Sequence, residues 1–245
     1  MNNQYFSDDD LIYNTASRVP VCLCIDTSGS MNQKDSAGIS RINRVKEGIK
    51  RFYKELEENE MTRYSAEVAI VGFSTEPYVV QDFKTIDYID ANNINLIPNG
   101  QGDLGLGVLK SLELLKNRKA MYNENGIDYY QPWLIIMSDG KPTGNNCFTS
   151  LAEAQKNTVE MEDKKKLTVI PVFIGKIEDG KDLKEIDSKA DKYLSDFSKK
   201  NPPLQLSSGQ KFSDFFEWLG KSVSAASEAS DVELDFAKLT DWDSI

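Results

Sequence analysis

Apolar runs of strand length alternate along this chain with segments of helical periodicity, and this alternation restricts the fold more than any other feature. The run at 19–26 is uncharged up to its last residue, and apolar residues then recur from Ile42 to Leu56 at the spacing of one helical face. Strands that are apolar on both sides need helices on both faces of their sheet. The sequence therefore predicts an α/β protein with a doubly wound, mostly parallel six-stranded sheet. The predicted strands cover residues 19–26, 66–73, 78–83, 133–137, 167–174 and 204–206.

Several local features refine this prediction. The runs at 66–73 and 78–83 are too close for a crossover connection, so we expect an antiparallel pair with one strand at an edge of the sheet. Pro171 removes a hydrogen-bond donor from its strand, which predicts a bulge or one-sided pairing there. Ser150 and Glu153 have the spacing of a capping box, which predicts that a helix opens at Ser150. The Ser/Ala-rich segment 222–230 is interpreted as the exit from the domain.

The charge of the chain is concentrated at its two ends. The 245 residues include 29 Lys and Arg and 39 Asp and Glu, for a net charge of −10. We predict an acidic N-terminal arm over 1–17, one folded domain over 18–227 and an acidic C-terminal tail over 228–245. Nucleic acids require a basic surface, so DNA and RNA are disfavoured as partners. The apolar runs are all shorter than the roughly 20 residues that span a bilayer, which disfavours a membrane partner.

The absence of histidine excludes whole classes of chemistry. Without it the chain has no Ser-His-Asp or Cys-His catalysis and no His-ligated zinc site. Cys22, Cys24 and Cys147 are predicted to be buried free thiols, with a redox or metal-binding pair as the alternative. Residues 8–10 are all Asp and follow no basic residue, which is the wrong charge for a targeting peptide, so we expect a cytoplasmic protein.

Short oxygen-bearing side chains follow two of the predicted strands. The first strand ends in Asp26-Thr-Ser28-Gly-Ser30, and the strand at 133–137 is followed by Ser-Asp139-Gly. Because ligands of open parallel sheets bind at the carboxyl ends of the strands, these residues are candidate ligands of a hard divalent cation. Two alternatives remain open: the residues only cap loops, or they belong to a phosphotransferase of the haloacid-dehalogenase type, which has a second Asp where this chain has Ser28.

These motifs resemble the metal-ion-dependent adhesion site of von Willebrand factor A domains. The resemblance rests on Asp26-x-Ser28-x-Ser30 and on Ser-Asp139-Gly, and it covers roughly residues 18–227. Within that superfamily, the segment 212–219 and the loop 139–143 look like those of bacterial TerY-like proteins. That family is associated with tellurite-resistance and stress gene clusters and is linked there to a protein kinase and a metal-dependent serine/threonine phosphatase.

The resemblance implies a set of site residues. Ser28 and Ser30 would be direct hydroxyl ligands, and Asp26 and Asp139 would act mostly through water. The family threonine ligand is replaced by Gly102. Asp103 could substitute for it or could instead cap the following helix. Mg²⁺ is favoured as the ion, with Mn²⁺ and Ca²⁺ as alternatives. The residues expected to contact a partner are Met31, Lys141, Pro142 and Thr143.

A divalent ion that is held by hydroxyls and water-bridged carboxylates keeps much of its charge uncompensated. It can therefore attract a carboxylate from another protein. The sequence predicts a non-enzymatic, metal-dependent protein-interaction module that recognises an acidic residue. The resemblance to TerY-like proteins implies a scaffold role in a bacterial stress or defence signalling system. The alternative is a magnesium-dependent phosphoryl-transfer enzyme, which usually needs a second metal or a positioned base.

Overall fold

A strand of eight buried residues, β1 (Val19–Asp26), lies in the middle of the sheet. The computed structural model describes residues 14–35, 37–140, 142–144, 147–174 and 188–228, with only the backbone of 188–191. The sheet order is β3-β2-β1-β4-β5-β6. The other strands are β2 (Ala66–Phe73), β3 (Pro77–Thr85), β4 (Trp133–Ser138), β5 (Thr168–Phe173) and β6 (Leu204–Gln205). The helices are α1 (Arg41–Glu57), α2 (Glu60–Ser65), α3 (Leu104–Glu124), α4 (Cys147–Asp163), α5 (Ser188–Ser195) and α6 (Gly209–Glu228), and short 3₁₀ turns cover Gly29–Asn32, Ile86–Tyr88 and Ala91–Asn93.

The direction of the strands confirms the predicted fold class. Strand β1 pairs in parallel with β2 and β4, and β5 and β6 continue the parallel arrangement. Strand β3 pairs antiparallel with β2 at the edge of the sheet. The sheet is therefore a six-stranded, mostly parallel sheet with one antiparallel edge strand, as the sequence predicts.

Alternate residues of β1 supply two separate cores. Val21, Leu23 and Ile25 face the core that contains the buried sides of α1 and α6. Cys22 and Cys24 face the opposite core, which contains α3 and α4. Both cysteines, like Cys147, are free and buried, as predicted. Burial raises the pKa of the Cys22 thiol to about 12, so this thiol stays protonated at neutral pH.

The structure separates the two predictions for Pro171. Strand β5 stays in register with β4 there, with Pro171 opposite Ile136, so no bulge forms. On the other side, β6 pairs only with Val172 and Phe173. The pairing at Pro171 is therefore one-sided.

Two predicted boundaries were wrong. Helix α4 begins at Cys147 rather than at Ser150, and Ser150 lies inside its first turn, with its Oγ 3.0 Å from the Cys147 carbonyl oxygen. Helix α6 continues to Glu228, and Val223 and Ala226 pack in the core, so the Ser/Ala-rich segment is part of the domain up to that point. Small residues there allow close packing and do not mark an exit. Most of the two acidic arms, residues 1–13 and 229–245, lies outside the described residues. In the part of the chain that the structure describes, no helix is long and apolar enough to cross a membrane.

A buried charge cluster lies near the amino end of β2. The Glu67 carboxylate accepts hydrogen bonds from Arg18 at 3.2 Å and from Arg118 at 2.6 Å, and also from the Tyr122 hydroxyl. All four side chains are buried. Arg18 also donates to the carbonyls of Ala16 and Asn14, so the cluster attaches the chain before β1 to the core.

Glu67→Gln is expected to destabilise the protein strongly, because it leaves two buried guanidinium groups without their counter-ion. We expect the free energy of unfolding to fall by about 3–5 kcal/mol in urea denaturation. The control is Asp87→Asn at the exposed Arg63–Asp87 pair, where we expect a loss below about 1 kcal/mol. Equal effects at the two positions would contradict this role of Glu67.

Candidate metal centre

The parallel pairing of β1 with β4 brings the two halves of the candidate site together. Ile25 lies opposite Met137, so Asp26, the last residue of β1, lies at the level of Ser138, which ends β4. The Ser138 hydroxyl donates to Asp26 Oδ2 at 2.7 Å, and the Gly140 N–H donates to Ser138 Oγ at 3.0 Å. Ser138 thus orients Asp26. It was quoted in the motif but not assigned a role, because sequence alone does not show which oxygen it contacts.

The two candidate hydroxyl ligands converge on one side of the turn after β1. The oxygen atoms of Ser28 and Ser30 are 2.9 Å apart, and the Ser28 N–H donates to Asp26 Oδ1 at 2.8 Å. The Gly29 N–H donates to the Gly100 carbonyl at 3.0 Å, which fixes this turn against the loop before α3. The i, i+2 spacing of Asp26, Ser28 and Ser30 therefore brings their oxygens together.

The Asp26 carboxyl is buried beside a second carboxyl. Burial, and then the negative charge of Asp139, raise the pKa of Asp26 to about 6, although hydrogen bonds from Ser28 and Ser138 act in the opposite direction. Asp139 is partly exposed. The site therefore holds negative charge that its neutral hydrogen-bond donors compensate only in part.

Arg41 lies beside this acidic pair and was missed by the sequence analysis. It is the first residue of α1, it is only 5% exposed, and its Nη1 lies 3.5 Å from Asp139 Oδ2. Burial lowers the pKa of Arg41, and the charges of Asp139 and Asp26 raise it. No motif includes Arg41, because its position depends on how the chain folds back over 33–40.

Gly102 lies against the ligand cluster. A Cβ atom at Gly102 would be 3.5 Å from Ser28 Oγ and 3.7 Å from Asp26 Oδ1. The Gly102 N–H donates to Thr143 Oγ1 at 2.8 Å, and the Thr143 N–H donates to the Gly102 carbonyl at 2.9 Å. The position that the family resemblance assigned to a threonine ligand therefore does adjoin the site, but glycine offers no side-chain oxygen there.

Asp103 caps helix α3. Its Oδ1 accepts hydrogen bonds from the Leu106 N–H at 3.0 Å and from the Ser150 hydroxyl at 2.7 Å. Of the two roles left open by the sequence, capping is the one that these contacts describe. The bond to Ser150 also joins the first turn of α4 to that of α3.

The residues expected to contact a partner differ in their exposure. Met31 and Pro142 are buried, which does not fit the expectation that their side chains contact a partner. Thr143 is exposed, and Lys141 lies outside the described residues. Met31 is fully buried in the same core as Ile25, which holds the turn after β1 in place.

The family of the chain follows from its sequence. The family model of the von Willebrand factor type A domain matches residues 21–208, which is most of the chain. The chain belongs to the von Willebrand factor type A (vWA) domain family. No curated protein sequence matches this vWA protein.

Solved structures with the same fold include proteins of bacterial pili. The PilB minor pilin from Streptococcus sanguinis has a TM-score of 0.60 and 14% identity, over 86% of this chain and 62% of that chain. The vWF domain of the type V pili tip protein Mfa5 from Porphyromonas gingivalis has a TM-score of 0.60 and 13% identity, over 89% and 99%. A von Willebrand factor type A protein from Catenulispora acidiphila has a TM-score of 0.55 and 17% identity, over 85% and 43%. This chain thus spans less than two thirds of the PilB chain, and at these identities the likeness concerns the fold.

The donor atoms of the vWA site fit a hard divalent cation. Hydroxyl and carboxylate oxygens are the ligands that Mg²⁺ prefers, and they converge here beside the partly exposed Asp139. The described residues contain no group of three or more His, Cys, Asp or Glu side chains arranged for a metal. A cation at this site would therefore depend on the serine hydroxyls, and Arg41 already supplies one positive charge to the carboxylates.

Asp26→Asn is expected to change how the stability of the metal-free domain depends on pH. Between about pH 4 and 6 the folded protein holds a proton on Asp26 that the unfolded chain has lost, so this group destabilises the fold as the pH rises. Relative to its value at pH 4, the free energy of unfolding at pH 7 should therefore be roughly 2–3 kcal/mol higher in Asp26→Asn than in the wild type. Urea denaturation in EDTA at several pH values measures this, with Asp87→Asn as the control. Parallel pH profiles for wild type and Asp26→Asn would refute the shift.

Proposed function

We propose that this vWA domain is a metal-dependent protein-interaction module. Ser28 and Ser30 bind a divalent cation directly, Asp26 and Asp139 hold it mostly through water, and the ion binds a carboxylate of a partner protein. The observation that carries this proposal is the convergence of two hydroxyl oxygens, 2.9 Å apart, next to a buried carboxyl whose hydrogen bonds fix its orientation.

Electrostatics supports a cation at this position. Burial, and then repulsion from the neighbouring Asp139 carboxylate, disfavour the charged form of Asp26 and raise its pKa. A divalent cation between the carboxylates and hydroxyls removes that conflict. Mg²⁺ is the ion that suits a site with few protein ligands and several waters, with Mn²⁺ and Ca²⁺ as alternatives.

The expected affinity of the ion for a partner carboxylate follows from the neutral charge of its hydroxyl ligands. They leave most of its charge uncompensated, so a carboxylate from another protein completes the coordination. Exposed Thr143 lies on the rim of the site and is available for contact with that partner. The described site offers one ligand cluster and no base apart from its own ligands, which supports binding rather than catalysis.

The biological setting is proposed from the resemblance of the motifs to TerY-like proteins. We propose a scaffold in a bacterial stress or tellurium-resistance system, with a protein kinase and a serine/threonine phosphatase as partners. A cytoplasmic location is supported by the free state of all three cysteines. An adhesion precedent exists only at the level of the fold: the pilus adhesin SpaC from Lactobacillus rhamnosus GG has a TM-score of 0.62 at 15% identity.

The double variant Ser28→Ala/Ser30→Ala is expected to lose metal binding, because it removes both direct ligands. Calorimetric titration of the metal-free wild type with Mg²⁺ or Mn²⁺ should show dissociation constants in the micromolar to millimolar range. The matched control is Ser195→Ala/Ser213→Ala, whose hydroxyls bond to helix carbonyls elsewhere. No binding by the wild type, or equal binding by both double variants, would contradict the proposed site.

Gly102→Thr is expected to tighten metal binding, because it supplies a hydroxyl beside Ser28. Gly102 has a backbone conformation that admits a side chain, and its Cβ would lie 3.3 Å from Ser28 Cβ, which requires only a small adjustment. We expect affinity for Mg²⁺ to rise by about tenfold. Gly102→Val, which has the same shape without the hydroxyl, is the control. An equal gain with valine would show that the hydroxyl is not a ligand.

A further inference from the structure

A buried arginine occupies the acidic face of the proposed metal site. Arg41 Nη1 lies 3.5 Å from Asp139 Oδ2, and the side chains of Arg41 and Asp139 are 6% and 16% exposed. Asp26 also acts electrostatically on Arg41. The metal-free site thus brings two carboxyls and one guanidinium together within a largely solvent-excluded region.

The charge of Arg41 cannot be removed by loss of a proton. A guanidinium stays protonated in proteins, so when a divalent ion arrives the two cations must share the same carboxylates or one of them must move. Cations in adjacent positions repel strongly, and the repulsion is larger where water is excluded.

The backbone of Arg41 is held firmly, so that any movement falls to its side chain. The Arg41 N–H donates to the Gln33 carbonyl at 3.0 Å, and the preceding Ser40 caps helix α1 by accepting from the Asn43 N–H. Ser40 also forms an isolated antiparallel bridge with Lys34. These contacts therefore fix the backbone position from which the Arg41 side chain reaches the site.

We propose that Arg41 is a built-in competitor of the divalent ion. In the metal-free domain its positive charge partly compensates the acidic pair, and tight ion binding requires its guanidinium to leave Asp139. This inference rests on the proposed function and adds to it a residue that sets the affinity of the site. Together with Gly102, which removes a ligand, Arg41 makes the ion bind weakly enough to respond to ion concentration or to a partner's carboxylate.

Arg41→Met tests this competition, because it removes the charge and keeps an unbranched apolar stem. We expect the dissociation constant for Mg²⁺, measured by calorimetry, to fall by about tenfold. Arg41→Lys keeps one positive charge and should bind Mg²⁺ within about threefold of the wild type. Arg44→Met is the matched control, since Arg44 lies on the same helix and pairs with Asp35 outside the site.

The outcomes separate the inference from the proposed function. Tighter binding by Arg41→Met, including binding that is detectable only in that variant, supports the inference. Equal binding by wild type, Arg41→Met and Arg44→Met overturns the inference but leaves the metal site standing. No binding by any of the proteins overturns both.

Two further measurements do not depend on comparing affinities. Arg41→Met removes the positive charge beside Asp139, so the variant should be less stable in EDTA and should gain more in melting temperature from Mg²⁺ than the wild type does. In the wild type itself, Mg²⁺ should shift the Nε–H NMR signal of Arg41 and speed its exchange with water. An unchanged signal at saturating Mg²⁺ would overturn the inference even if the variant did not fold.

Discussion

The register between two neighbouring parallel strands determines what this domain can do. Because β1 and β4 end at the same level, Asp26 meets Ser138, and two carboxyls come to share a small, largely buried space. Charges of the same sign are unfavourable at such a place unless a cation joins them. The turn after β1, the loop after β4 and the start of α1 can all be understood as ways of supplying or admitting that cation.

At the opposite end of the sheet the ratio of carboxylates to arginines is reversed. There one carboxylate, Glu67, is satisfied by two arginines and a tyrosine, with every donor provided by the chain itself. At the carboxyl edge two carboxyls lie close together, and Arg41 is beside them. At the amino end basic groups outnumber the carboxylate, whereas at the carboxyl edge two carboxyls act on one arginine. This difference in local charge distinguishes the two ends of the same sheet.

The sequence predicted the sheet, the two motif strands and the clustering of Asp26, Ser28 and Ser30, because periodicity and i, i+2 spacing are local properties. It could not place Arg41, whose position depends on a loop that returns to the sheet edge. Nor could it separate capping from ligation at Asp103, since the same carboxylate suits either role until its neighbours are known. The Ser/Ala-rich end of α6 was misjudged because small residues favour both close helix packing and unstructured chain.

The one-sided pairing at Pro171 has a consequence for how the molecule behaves among copies of itself. The Ile174 N–H donates to the Ser138 carbonyl of the neighbouring strand β4, and successive N–H groups of a strand point alternately to its two sides. The backbone nitrogen of Pro171, three residues earlier, therefore faces away from β4, and proline has no N–H to offer there. Two residues earlier, Glu162 accepts from the outward Val169 N–H and Asn201 donates to the Val169 carbonyl. Along the described part of β5 that β6 does not pair with, Val169 and Pro171 thus offer no free N–H to a foreign strand. This disfavours edge-to-edge pairing along that stretch.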